Sequence, residues 1–179
     1  MKKLLMAAAA VLALTGAAHG GELKDYATVG GWGIFSSDEH CAAGGDYQNG
    51  TSLIFGVNTD GETWLKVYNA AWKIPAGSYT VAAKIDTVEL SDLTFQATED
   101  GHSIVNQFTM GESAYNLITK GNRLSLVIGG ATYRYTLKDT SAMLPKLLAC
   151  ISQVARASNP FGGKPAAPVS TPSNPFRPT

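Results

Sequence analysis

Between residues 51 and 137, apolar side chains fall on every second position in short runs, and the runs stop at turns rich in glycine or asparagine. A period of two sends successive side chains to opposite faces of a strand, and this pattern does not suit a helix. Thr51–Val57 places Leu53, Phe55 and Val57 on one side. Asn58-Thr59-Asp60-Gly61 follows, and Asp-Gly between alternating runs is a strong hairpin signal. Glu62–Asn69 and Tyr79–Ile85 continue the pattern, with a turn at Ile74-Pro75-Ala76-Gly77 between them. Leu93–Ala97 and Ile104–Phe108 flank the turn Glu99-Asp100-Gly101. Arg123–Ile128 and Thr132–Leu137 form a last hairpin around Gly129-Gly130. Short strands at this spacing predict an all-β fold, mainly an antiparallel β-sandwich or a partly closed barrel.

One helix closes the domain. Leu144, Leu147, Leu148, Ile151, Val154 and Ala155 recur at helical spacing, which predicts one C-terminal α-helix with Ser141 as cap and Pro145 in its first turn. A second short helix is expected at about residues 112–119. Residues 21–50 read as glycine-rich and irregular, with a short apolar piece at Trp32–Phe35.

Both ends of the chain differ from this middle. Lys2 and Lys3 precede an apolar run, Leu4–Leu14, and then the small or polar stretch Thr15–Gly20. That order is the signature of a secretory signal peptide, here residues 1–20, and the run is too short to span a bilayer. The expected domain is therefore 21–157, with no membrane span after cleavage and a periplasmic or secreted location. From residue 158 onward proline dominates, so 158–179 reads as an extended, disordered tail. The tail repeats Asn-Pro-Phe at Asn159, Pro160, Phe161 and again at Asn174, Pro175, Phe176. Such a turn presents a Phe anchor, and two copies would add avidity.

Cys41 and Cys150 are the two cysteines. In an exported chain an even pair reads as a disulfide, which would staple the start of the domain to its end. Formal net charge is zero. Losing Lys2 and Lys3 with the leader leaves a slight acidic excess. That balance does not fit a nucleic-acid partner, which requires clustered surplus Lys and Arg.

Catalytic and cofactor signatures are sparse. Outside the leader the histidines are His40, in the polar run Asp38-Glu39-His40-Cys41, and His102, which follows the Asp-Gly turn and reads as a solvated loop residue. No Gly-x-Ser-x-Gly elbow occurs, and Gly30-Gly31-Trp32-Gly33 is not followed by Gly-Lys-Ser/Thr. The carboxylate pairs Asp38/Glu39 and Glu99/Asp100 are neighbours in loops, whereas acid–base catalysis needs two carboxylates in different environments. The reading is a non-enzyme with no cofactor, no metal site and no catalytic residues. The candidate binding face is Trp64, Lys66 and Tyr68, which share one side of a strand. Aromatics on strands more often belong to the core, but Leu65 and Val67 on the other side also need burial, and a sandwich buries only one face, so one of the two sets is left exposed.

Two resemblances bear on function. Ala71-Trp72-Lys73-Ile74-Pro75-Ala76-Gly77 precedes a strand ending Ile85-Asp86, and Tyr135-Thr136-Leu137 is followed by Asp139, Ala142, Leu144, Leu147, Leu148 and Cys150. This order, over about residues 50–152, resembles the small exported β proteins related to the invasion-associated locus B family of Gram-negative bacteria. The resemblance implies a noncatalytic exported protein involved in host interaction. It supplies no catalytic residues. Gly129-Gly130-Ala131-Thr132-Tyr133 is similar to a loop of periplasmic lysozyme inhibitors, with glycine where those loops carry Ser. The expected function is an exported binding or accessory protein whose partner is another protein, from the envelope or a host. The alternative is a proteinaceous inhibitor of a hydrolase such as lysozyme.

Overall fold

The structure is a computed structural model and describes residues 22–158. The leader 1–20 and the tail motifs Asn159, Pro160, Phe161, Asn174, Pro175 and Phe176 lie outside the described residues. Ten strands form one antiparallel sheet: β1 (Lys24–Val29), β2 (Trp32–Ser36), β3 (His40–Asp46), β4 (Ser52–Asn58), β5 (Thr63–Tyr68), β6 (Ser78–Ile85), β7 (Val88–Ala97), β8 (Ser103–Phe108), β9 (Arg123–Ile128) and β10 (Ala131–Thr136). Helix α1 (Glu112–Lys120) lies between β8 and β9, and α2 (Thr140–Ser158) follows β10. The strand order is β1-β2-β3-β4-β5-β8-β7-β6-β9-β10.

The sheet curls until its two ends meet. Trp32 Nε1 on β2 donates to Lys138 O (2.9 Å), just past β10. Tyr47, just past β3, donates its hydroxyl to Thr136 O (2.7 Å) and packs edge-on against Tyr135. Register shifts between Asp25 and Ala27 and between Val81 and Ala83 give the local bends that such curling needs. The expectation of a mainly antiparallel all-β fold with a C-terminal helix holds; of the two architectures expected, sandwich or partly closed barrel, the single curled ten-stranded sheet corresponds to the second. The inner face carries the alternating residues Leu53, Phe55, Val57, Leu65 and Val67, all buried.

Helix α2 packs against β1–β4 and α1. It buries Met143, Leu144, Leu147, Cys150 and Ile151. The disulfide Cys41–Cys150 bolts the middle of α2 to the start of β3, with Cα atoms 6.2 Å apart. Thr140 Oγ1 donates to Ile118 O (2.8 Å) and Leu137 O (2.7 Å), which fixes the start of α2 against the end of α1.

Three local expectations are corrected. Residues 21–50 are not irregular: they hold β1, β2 and β3. Their pattern is hidden because β3 reads His-Cys-Ala-Ala-Gly-Gly-Asp, with small residues where larger neighbours lie across it. Ser141 is not the cap of α2. The helix begins at Thr140, where Ala142 N and Met143 N both donate to Asp139 O, so Pro145 sits beyond the first turn. The helix also runs through Ser158, one residue past the expected boundary, and Ser158 Oγ donates to Asp38 O (3.2 Å).

Candidate functional site

The outer face of the sheet gathers the residues singled out in the sequence. Directly paired residues in an antiparallel ladder share a face. One row across the strands is therefore Phe35, Ala42, Gly56, Trp64 and Gln107. The next row is Gly33, Gly44, Ile54, Lys66 and Val105. Tyr68 sits in a third row, between Ser52 and Ser103. Trp64, Lys66 and Tyr68 thus share the outer face, and Leu65 and Val67 face the core.

Glycine makes this surface smooth. A Cβ placed on Gly56 would lie 1.9 Å from the Trp64 ring, so the indole rests directly on the glycine backbone. Gly33 holds Phe35 in the same way, at 3.0 Å, and Ile54 covers Gly44 at 3.5 Å. Ile54 is only 2% exposed although it points away from the core, which shows how closely its neighbours seal it. Trp64, Tyr68 and Phe35 remain half-buried. Aromatic rings pinned against backbone lose little freedom on binding, which favours them as anchors.

Lys66 does not stand out from this face as a free charge. It is 5% exposed, and burial pulls its pKa below the usual lysine value, with Asp100 opposing that shift. Asp100 is held below the usual carboxylate range by the Thr98 hydroxyl (2.6 Å) and the His102 N–H (3.0 Å), with the Lys66 charge adding to both. His102 is more than a solvated loop residue. Its Nδ1 donates to Trp72 O (2.8 Å) and its ring lies edge-on to Tyr68, 6.4 Å between centroids. Trp72 in turn packs against Tyr133 of β10. The β5–β6 connection is therefore tied both to the aromatic face and to the far end of the sheet.

His40 opens β3 beside the disulfide. Its Nδ1 is 2.8 Å from Ser37 Oγ, its Nε2 is buried without a partner, and burial lowers its pKa while Glu39 opposes. Among the described residues no group of three or more His, Cys, Asp or Glu is arranged to hold a metal ion. The Gly129-Gly130 loop is the tight tip of the β9–β10 hairpin, with both residues at positive φ (56° and 81°), as a two-residue turn of this hand requires.

A second feature escaped sequence reading. Strand β7 pairs with β8 only at Gln96↔Val105 and Ala97↔Ile104, then diverges. Asn106 Nδ2 bridges the opening to Thr94 O (2.8 Å). Helix α1 lies over the gap, and between them is a cavity of about 440 Å³. Its signal in the sequence was weak: Asn106 is the one polar residue among the inward positions of β8, which otherwise carry Ile104 and Phe108.

No protein-family model and no curated protein matches the chain. Among solved structures it is similar to the crystal structure of invasion associated protein B from Bartonella henselae. The two share 16% identity with a TM-score of 0.47, over 74% of this chain and 99% of that one. This is the family that the sequence motifs resemble, and no residue role is transferred from it.

Proposed function

We propose that this chain is an exported, noncatalytic binding protein whose partner is another protein, from the bacterial envelope or a host. The observation that carries the reading is the outer face of β2–β5, where half-buried Phe35 and Trp64 lie against Gly33 and Gly56, and half-buried Tyr68 shares the face, edge-on to His102. Trp and Tyr are the side chains most often found as anchors at protein interfaces. Here they are held rigid and surround a nearly sealed centre of Ile54 and Lys66. The disulfide is consistent with an oxidising compartment, and the leader-like N-terminus gives the route.

The test is capture by the oxidised chain, with and without residues 159–179, from envelope extract and from animal or plant secretions. The reading expects a stoichiometric protein partner that survives removal of the tail. Recovery of none in any extract sinks it. A partner lost with the tail would move recognition to the Asn-Pro-Phe repeats.

A further inference from the structure

We infer that the cavity between β7 and α1 is a binding site for a small, uncharged, apolar molecule carrying one N–H or O–H donor. The size class follows from a volume of about 440 Å³. It falls inside the usual range for small-molecule sites. The floor is core: Phe55, Leu65 and Leu124 line it, and each is also buried in the barrel interior. Leu93 of β7 and Leu117 of α1 form facing walls. Water held in such a space needs two to four polar partners each, and walls of this composition suit hydrocarbon instead.

The polar requirement comes from Asn106. It lines the cavity and is 7% exposed. The Thr94 carbonyl only accepts, so it fixes the amide with Nδ2 toward β7. The acceptor Oδ1 accepts no hydrogen bond among the described residues and is not sealed from solvent, so water is what a ligand would replace there. A ligand N–H or O–H satisfies it. The charge requirement comes from Glu89, an exposed carboxylate on the cavity's lining. It disfavours an anionic head group, so a fatty acid is a poorer fit than the corresponding alcohol. The opening itself is built into the sheet: β7 leaves β8 after two paired positions, so entry needs no ladder to break.

This site is independent of the proposed protein-binding face. Leu65 and Asn106 point inward, whereas Trp64 and Lys66 on the same strand as Leu65 point outward. The two ideas therefore fail separately.

The experiment is titration of the oxidised chain with the fluorophore N-phenylnaphthylamine, an uncharged apolar molecule with one N–H. The expected result is saturable one-to-one binding with blue-shifted emission. Ala114→Phe and Leu93→Trp, which fill the cavity from its two walls, each weaken binding at least tenfold while circular dichroism stays native. The N-methylated probe, lacking the N–H, binds about fivefold more weakly, as one neutral hydrogen bond implies. Dodecanol displaces the probe at least tenfold better than dodecanoate, and Glu89→Gln narrows that ratio. Absence of saturable binding overturns the proposal, as does native affinity in both folded cavity-filling variants. Equal affinity for the two probes overturns the donor requirement, and equal displacement by dodecanoate overturns the charge requirement.

Discussion

Replacing both disulfide cysteines with alanine should remove at least about a third of the stability of this domain. The bond spans 109 residues, from the start of β3 to the middle of α2. In the chain-entropy model, freeing a loop of that length returns about 4.7 kcal/mol of conformational freedom to the unfolded state. Domains of this size have only about 5–15 kcal/mol in total. The loss falls on a packed joint, because Met143, Leu144, Leu147 and Ile151 of α2 stay buried only while the helix lies against the sheet. Alanine is the better replacement: both sulfurs are fully buried, and a serine hydroxyl there would add an unpaired polar group. Equilibrium urea unfolding followed by circular dichroism measures the effect. With a slope of about 1.5–3 kcal/mol per molar, the midpoint should fall by roughly 1.5–3 M. Adding a reductant to the native protein should move it to the same place. A shift below about 0.5 M in both experiments would refute the view that the staple carries the link between helix and sheet.

Three further outcomes follow from other parts of the structure. Gly56→Ala forces the Trp64 indole off the backbone, because its Cβ would sit 1.9 Å from the ring; unfolding midpoints should report a loss of about 1–3 kcal/mol, and Trp64 fluorescence in a single-tryptophan background should become more easily quenched. Asp86→Ala removes the carboxylate that accepts Asn122 N (2.9 Å) and Arg123 N (3.0 Å) from a residue at φ 52°, and should cost about 1–3 kcal/mol; Asp86→Gly, which relieves the backbone, should cost less, and the reverse order would contradict the assignment. At alkaline pH the domain should lose stability. Burial raises the Tyr135 hydroxyl to about 12 and raises Tyr47 as well, so the unfolded state releases their protons first and the contribution, complete below about pH 10, is lost as pH climbs toward 12; a urea midpoint unchanged between pH 9 and 11.5 would count against buried, protonated tyrosines.

Legibility of the fold tracked the size of the alternating side chains. Strands with bulky residues on every second position, such as β4, β5 and β9, match the sequence reading to within a residue or two. Strand β3 did not show itself, because its residues are small for a tertiary reason: Gly44 lies under Ile54 of β4, Gly45 under Trp32 of β2, and Ala42 pairs with the bulky Phe35. A glycine there reads locally as a breaker, and only the finished sheet shows what it accommodates. The pairing of Cys41 with Cys150 was legible from export logic alone. The shared face of Trp64, Lys66 and Tyr68 was legible from the period of two. The near-burial of Lys66 was not, since it depends on Ile54, Val105 and the Asp100 turn, which meet only across strands. The cavity left only the weak trace of Asn106 on β8, because it arises where β7 parts from β8, a feature of pairing rather than of local sequence.

The central claim is that the outer aromatic face is the binding surface. The direct measurement is the affinity of the captured partner for the native chain, for Trp64→Ala, for Tyr68→Ala, and for Val127→Ala, an exposed apolar control on β9. The account predicts losses of about 2 kcal/mol, roughly thirtyfold, at Trp64 and Tyr68. The Val127 control should stay within twofold, and all four proteins should remain folded and oxidised. Native affinity in both aromatic variants would contradict the account.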